Sequence, residues 1–115
     1  MNEKSYQLNV LKEIAGDDDS FILEMINTFR STLPELIEKM KIGFEEGDYI
    51  VVKNIAHQIK PSVELLQINA LQNKLKPLEL HCAGAEIDRH YVMDEIKVID
   101  ETIQLVISEM NQDFD

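Results

Sequence analysis

Apolar residues recur every three or four positions from one end of this chain to the other, and nowhere do they alternate with polar ones over a strand's length. A repeat of three and four gathers side chains onto one stripe of an α-helix, whereas a strand needs a repeat of two. No Asn-Gly hairpin dipeptide occurs either. The expected fold class is therefore all-α. With 115 residues the chain can enclose one core but not two, so it is expected to be a single helical domain spanning residues 1–115.

The pattern divides into six predicted helices. A short first helix, about Tyr6 to Ile14, presents Leu8, Leu11 and Ile14 and stops at Gly16. Asp17, Asp18, Asp19 and Ser20 then supply a cap and first-turn acids for a second, which aims Ile22, Met25, Ile26 and Phe29 at one side. Thr32 to Glu35 has capping-box spacing with Pro34 in the first turn, and predicts a third helix burying Leu33, Leu36, Ile37, Met40 and Phe44. Gly47 ends it and Asp48 caps the fourth, about Tyr49 to Leu66, with Val52, Ile55, Ile59, Val63 and Leu66 inward. Asn69 is the expected cap of a fifth helix carrying Leu71, Leu75, Leu78 and Cys82. A sixth carries Val92, Ile96, Ile99, Ile103, Val106 and Met110, and the closing "NQDFD" reads as a fraying tail. Short connections make neighbours antiparallel, which predicts an up-down four-helix bundle with short additional N-terminal helices.

Net charge is -11, which opposes binding to nucleic acid or an anionic membrane. No apolar run is long enough to span a bilayer and no signal-type segment opens the chain, so a soluble, cytoplasmic protein is expected. The lone Cys82 falls on an apolar stripe and reads as a small core side chain. The charge is uneven. From Asp48 to Glu79 four lysines (Lys53, Lys60, Lys74, Lys76) face three acids (Asp48, Glu64, Glu79), a balance of +1, so the remaining residues sum to -12.

The centre of that relatively positive segment is "NIAHQIKPSVELL", residues 54 to 66. His57 lies about 200° around the helix from Ile55 and Ile59, so it points to water. Its neighbours on that face are Lys53, Asn54, Lys60, Pro61 and, two turns along, Glu64. Lys60 stands where an ammonium could reach an anion held on the imidazole. Pro61 cannot donate to the His57 carbonyl, at a cost of about 3 kcal/mol in a helix interior. A helix that accepts such a cost beside a polar residue suggests a site, and a harmless kink would look the same.

"AHQIKPS" resembles the histidine-phosphotransfer (HPt) motif of two-component phosphorelays, A-H-x-L-K-G-S, with His57, Lys60 and Ser62 in register and Ile59 in place of leucine. "GDY" before it and "LKPLE" after it fit the family's wider pattern, and the resemblance covers about Gly16 to Ala83. It implies an antiparallel four-helix bundle in which His57 is the phosphoacceptor and Lys60 stabilises the phosphoryl group. Pro61 departs from the usual glycine, yet it too lacks a protruding chain and leaves room for a partner. The implied partners are response-regulator receiver domains and a hybrid sensor histidine kinase. The implied role is a monomeric phosphorelay intermediate that takes the group from a receiver aspartyl phosphate and passes it reversibly to another.

Neutral imidazole has a lone pair for such an attack. Phosphoryl transfer depends mostly on positioning and charge, so a small domain suffices, and no cofactor of its own is expected; Mg²⁺ belongs to the partner receiver. No G-x-x-x-x-G-K-[ST] loop is present, so autonomous kinase activity is not expected. If the chain turns back near Ile68, His57 comes level with Glu79, with Lys76 and Ala83 alongside. Glu79 then either orients the imidazole or stands as a solvated charge. Ser62 either serves the site or bonds the preceding turn. Two rival readings stand: a module that binds or inhibits a receiver without being phosphorylated, and a metal-dependent bundle using His81, Glu86 and His90, which Gly84 interrupts.

Overall fold

The computed structural model describes residues 4–115. Within them lie five α-helices: α1 (Asn9–Ala15), α2 (Asp19–Glu45), α3 (Tyr49–Leu65), α4 (Leu75–Cys82) and α5 (Arg89–Phe114), with a 3-10 turn at Asn69–Leu71. No strand occurs among the described residues.

The three long helices each start behind an aspartate cap. Asp18, Asp48 and Asp88 each accept a hydrogen bond from the backbone N-H three residues on, at 3.0, 3.2 and 3.2 Å. Each bond satisfies one of the orphan donors of a first turn. Between α2 and α3 the chain reverses at Gly47, whose φ of +72° is a left-handed conformation that a side chain would strain. Gly43 has a different task. A Cβ there would lie 2.7 Å from the Val51 side chain, so the bare backbone lets the first turn of α3 close onto α2.

Three expectations are corrected. The second and third predicted helices are one, α2, with Pro34 inside it. Ile22, Ile26, Phe29, Leu33, Ile37 and Met40 form one unbroken buried stripe along it. Burying each contributes about 1.5–3 kcal/mol, which together outweighs the roughly 3 kcal/mol of an interior proline. Thr32 makes no capping box; its hydroxyl donates to the Thr28 carbonyl at 2.9 Å, one turn back.

The second correction concerns Asn69, which opens only the 3-10 turn; the α-helix starts at Leu75. A helix running on from Asn69 would hold Pro77 in its interior. Starting at Leu75 puts Pro77 in the first turn, where its missing N-H is not needed.

The third concerns "NQDFD", which is helical to Phe114 rather than frayed. Arg30 donates to Asn111 and Asp115 at 2.9 and 2.7 Å, and Lys4 and the Tyr6 hydroxyl both bond Asp113. Tyr6 is itself buried, which places it in the core beside Leu11, while Ile14 is 62% exposed and faces water.

α2 packs along both α3 and α5, α4 lies against α3, and α1 rests on α2. Leu33, Met40, Val52, Ile59, Leu78, Ile99 and Val106 are fully enclosed in the common core, as are Leu66, Ile68 and Leu71 of the α3–α4 connection. Cys82 is buried there too, and burial raises its thiol above the ordinary range. The end of α4 lies beside the start of α3, since Cys82, Ala83 and Gly84 wall one cleft with Tyr49, Ile50 and Lys53. The two helices therefore run in opposite directions.

Candidate functional site

The two sides of α3 carry different chemistry. Val52, Ile55, Ala56, Ile59 and Val63 are buried. On the other side His57, Pro61 and Glu64 are exposed and Lys53 and Lys60 half-buried. Ser62 is half-buried as well, and its carbonyl accepts the Leu66 N-H at 2.9 Å. The helix continues through Pro61 to Leu65. The His57 carbonyl thus lacks a partner four residues on, while the backbone stays helical.

The apposition of α3 and α4 brings Glu79 to the imidazole. His57 Nδ1 lies 2.8 Å from Glu79 Oε1, and the side chains are 72% and 21% exposed respectively. A carboxylate only accepts, so Nδ1 must carry the hydrogen of this bond. In the neutral ring that leaves the lone pair on Nε2. The histidine is held by one nitrogen and open to solvent through the other. Glu79, expected either to orient the imidazole or to stand as a solvated charge, is in contact with the ring.

Among the described residues four of the eight cations elsewhere pair with a carboxylate, and Lys12, Lys39, Arg89 and Lys97 do not. Lys4, Arg30, Lys41 and Lys74 each lie within 4.0 Å of a carboxylate. Lys53, Lys60 and Lys76 pair with none among the described residues, although acids outnumber bases twofold in the chain. Lys53 and Lys60 stand one turn to either side of His57 on α3. Lys76 stands one turn before Glu79 on α4.

The proposed metal ligands are not gathered. His81 Nε2 accepts the Asp88 N-H at 2.9 Å, and its ring meets Tyr91 edge-on at 4.7 Å between centroids. His90 and Glu86 are exposed, and among the described residues no three metal-binding side chains converge.

Sequence reading missed two features around the site. Arg89, in the first turn of α5, donates to the Phe44 carbonyl at 3.2 Å and the Tyr49 hydroxyl at 3.0 Å, with its guanidinium 4.1 Å from the centre of the Phe44 ring. It ties α5 to the α2–α3 turn below the site, and nothing in its local sequence signals that partner. Ile50 and Leu80 are the second, 65% and 64% exposed. Ile50 is two turns before His57 on the same stripe, a position readable from the heptad spacing.

Comparison with protein-family models, curated proteins and solved structures finds no match for this chain.

Proposed function

We propose that the chain is a phosphorelay intermediate that accepts a phosphoryl group on His57 Nε2 from a receiver-domain aspartyl phosphate and returns it to another receiver aspartate. The observation that carries this reading is the His57–Glu79 pair, which occupies Nδ1 of a 72% exposed side chain and so leaves the lone pair of the neutral ring on Nε2. The resemblance of residues 56–62 to the HPt motif agrees with it. In the same reading α2, α3, α4 and α5 are an antiparallel four-helix bundle with α1 as the added N-terminal helix.

In the first step Nε2 attacks phosphorus, the N-P bond forms, and the P-O bond to the donor aspartate breaks, its electron pair leaving on the carboxylate. The phosphorylated ring keeps its proton on Nδ1 and is cationic, so its charge faces the Glu79 carboxylate. Lys60 offers a positive charge to the phosphoryl oxygens. The partner contributes its acidic pocket and Mg²⁺, and the reverse step delivers the group to a second receiver. Glu79 is a positioning residue here, since it acts through the imidazole. Pro61 keeps the approach to His57 low, and the lysines favour an acidic partner surface.

The test is transfer from phosphorylated receiver domains in the presence of Mg²⁺. Acid-labile, base-stable label on the wild type and none on His57→Gln is the expected result. Binding of receivers without label on either protein would favour the non-phosphorylated binding module.

A further inference from the structure

We infer that Lys76 is a second phosphoryl-binding cation of this site, supplied by α4 and acting opposite Lys60; the inference rests on the function proposed above. α3 and α4 run in opposite directions, and the 2.8 Å contact between His57 and Glu79 sets their register. Moving three residues forward from His57 on α3 reaches Lys60. Moving three residues back from Glu79 on α4 reaches Lys76. Both steps travel the same way along the groove by about 4.5 Å, so the two lysines come level with each other on the same side of the imidazole. Positions three apart also share a helix face, so both lysines lie on the faces that carry His57 and Glu79.

Lys76 is exposed and has no carboxylate within 4.0 Å among the described residues. Lys74, two positions earlier, lies 3.5 Å from Glu95 of α5. The neighbouring lysine is therefore turned to the molecule's own acids while Lys76 is not. With a cation on each helix, a phosphoryl group on Nε2 meets positive charge from both walls of the groove. A site with Lys60 alone would meet it from one. Two cations select for donors that carry their phosphorus as an anionic group, and they raise the local concentration of such donors.

Potassium phosphoramidate tests this without a partner protein. His57 Nε2 attacks its phosphorus, the N-P bond to the ring forms, and ammonia leaves with the electron pair of the broken P-N bond. Label is located by mass spectrometry and its rate followed by ³¹P NMR for the wild type, Lys76→Gln, Lys76→Arg, Lys97→Gln and His57→Gln. A unit charge about 6 Å from an anionic donor in near-aqueous surroundings changes a rate about threefold. Lys76→Gln is expected to slow labelling of His57 about threefold at low salt and Lys76→Arg to restore it. At 1 M salt, where the screening length is about 3 Å, the difference should disappear. Lys97→Gln, the same charge change on exposed α5 surface, should label at the wild-type rate. Equal rates for Lys76→Gln and wild type at low salt, with the label on His57, would overturn the role of Lys76 alone. Wild-type protein that takes no label on His57 would overturn the phosphoacceptor reading and this inference with it.

Discussion

Replacing Glu79 by glutamine separates charge from orientation at His57. The glutamine keeps an oxygen that accepts from Nδ1-H but removes the carboxylate that, in the proposed relay, faces the ring once phosphorylation makes it cationic. Two unit charges about 4 Å apart attract by about 1 kcal/mol in water and about 4 kcal/mol at an effective dielectric of 20. Glu79 is 21% exposed and His57 72%, so the pair sits nearer the aqueous limit, at about 1–2 kcal/mol. That corresponds to about a 5- to 30-fold slower phosphotransfer for Glu79→Gln. Affinity for the unphosphorylated receiver should not fall, because removing an acid from a face that meets an acidic partner does not weaken their attraction. Glu79→Ala removes the acceptor as well. In ¹⁵N spectra of the imidazole, wild type and Glu79→Gln should hold the Nδ1-H form, while Glu79→Ala should also populate Nε2-H. Wild-type transfer by Glu79→Gln, with label on His57, would refute the electrostatic part of this reasoning. An Nε2-H ring in the wild-type spectrum would refute the geometric part, whatever the function.

Other consequences concern the scaffold. Thr32→Ala should change stability by less than about 0.5 kcal/mol in urea unfolding, because its exposed hydroxyl bonds the preceding turn; a loss near 1 kcal/mol would instead indicate a helix cap. Ile59→Ala empties a fully enclosed position on the core side of α3 and should cost about 2–5 kcal/mol; a cost under about 1 kcal/mol would show that the core collapses around it. Asp113 is held below the usual carboxylate range, first by its hydrogen bond from Lys4 and then by that from Tyr6. A carboxyl lowered on folding stabilises the fold above its unfolded value, near about 3.9, and that contribution is lost as pH falls through the lowered folded value. Asp113→Asn should therefore flatten the acid limb of the stability curve below about pH 4, and an unchanged limb would show that these bonds do not persist in solution. Tyr6 is raised, chiefly by burial and then by its bond to Asp113. Its contribution is present below the unfolded value near about 10 and lost as pH rises through the folded one. Tyr6→Phe should accordingly remove stability at neutral pH and leave less to lose in alkali.

Much of the site was readable before the fold because it depends on one helix. His57, Lys53, Lys60, Pro61 and Glu64 share a side of α3 through the 3.6-residue repeat alone, and the inward stripe of Val52, Ile55, Ile59 and Val63 forces them outward. Glu79 was legible only as one of several neighbours, since the register of α4 depends on how the α3–α4 connection folds. Ile68 and Leu71 anchor that connection by being fully buried. Lys76 was legible in the same way, as another of those neighbours, whereas the partners of Arg89 were not. What Arg89 faces is set by elements far along the chain, and no local pattern records it.

Helix content, the aspartates that open α2 and α3, and the outward position of His57 follow from the sequence by itself. Each depends on interactions within about one turn, which the order of residues specifies directly. Tertiary structure alone decided that α2 runs unbroken through Pro34, that α5 stays helical to Phe114, and that Glu79 holds Nδ1 of His57. In each case the local cost or indifference is settled by distant partners: a continuous buried stripe for Pro34, Arg30 and Tyr6 for the end of α5, and the packing of α4 on α3 for the imidazole. Such contacts form only when segments far apart in sequence are brought together by burying a common core.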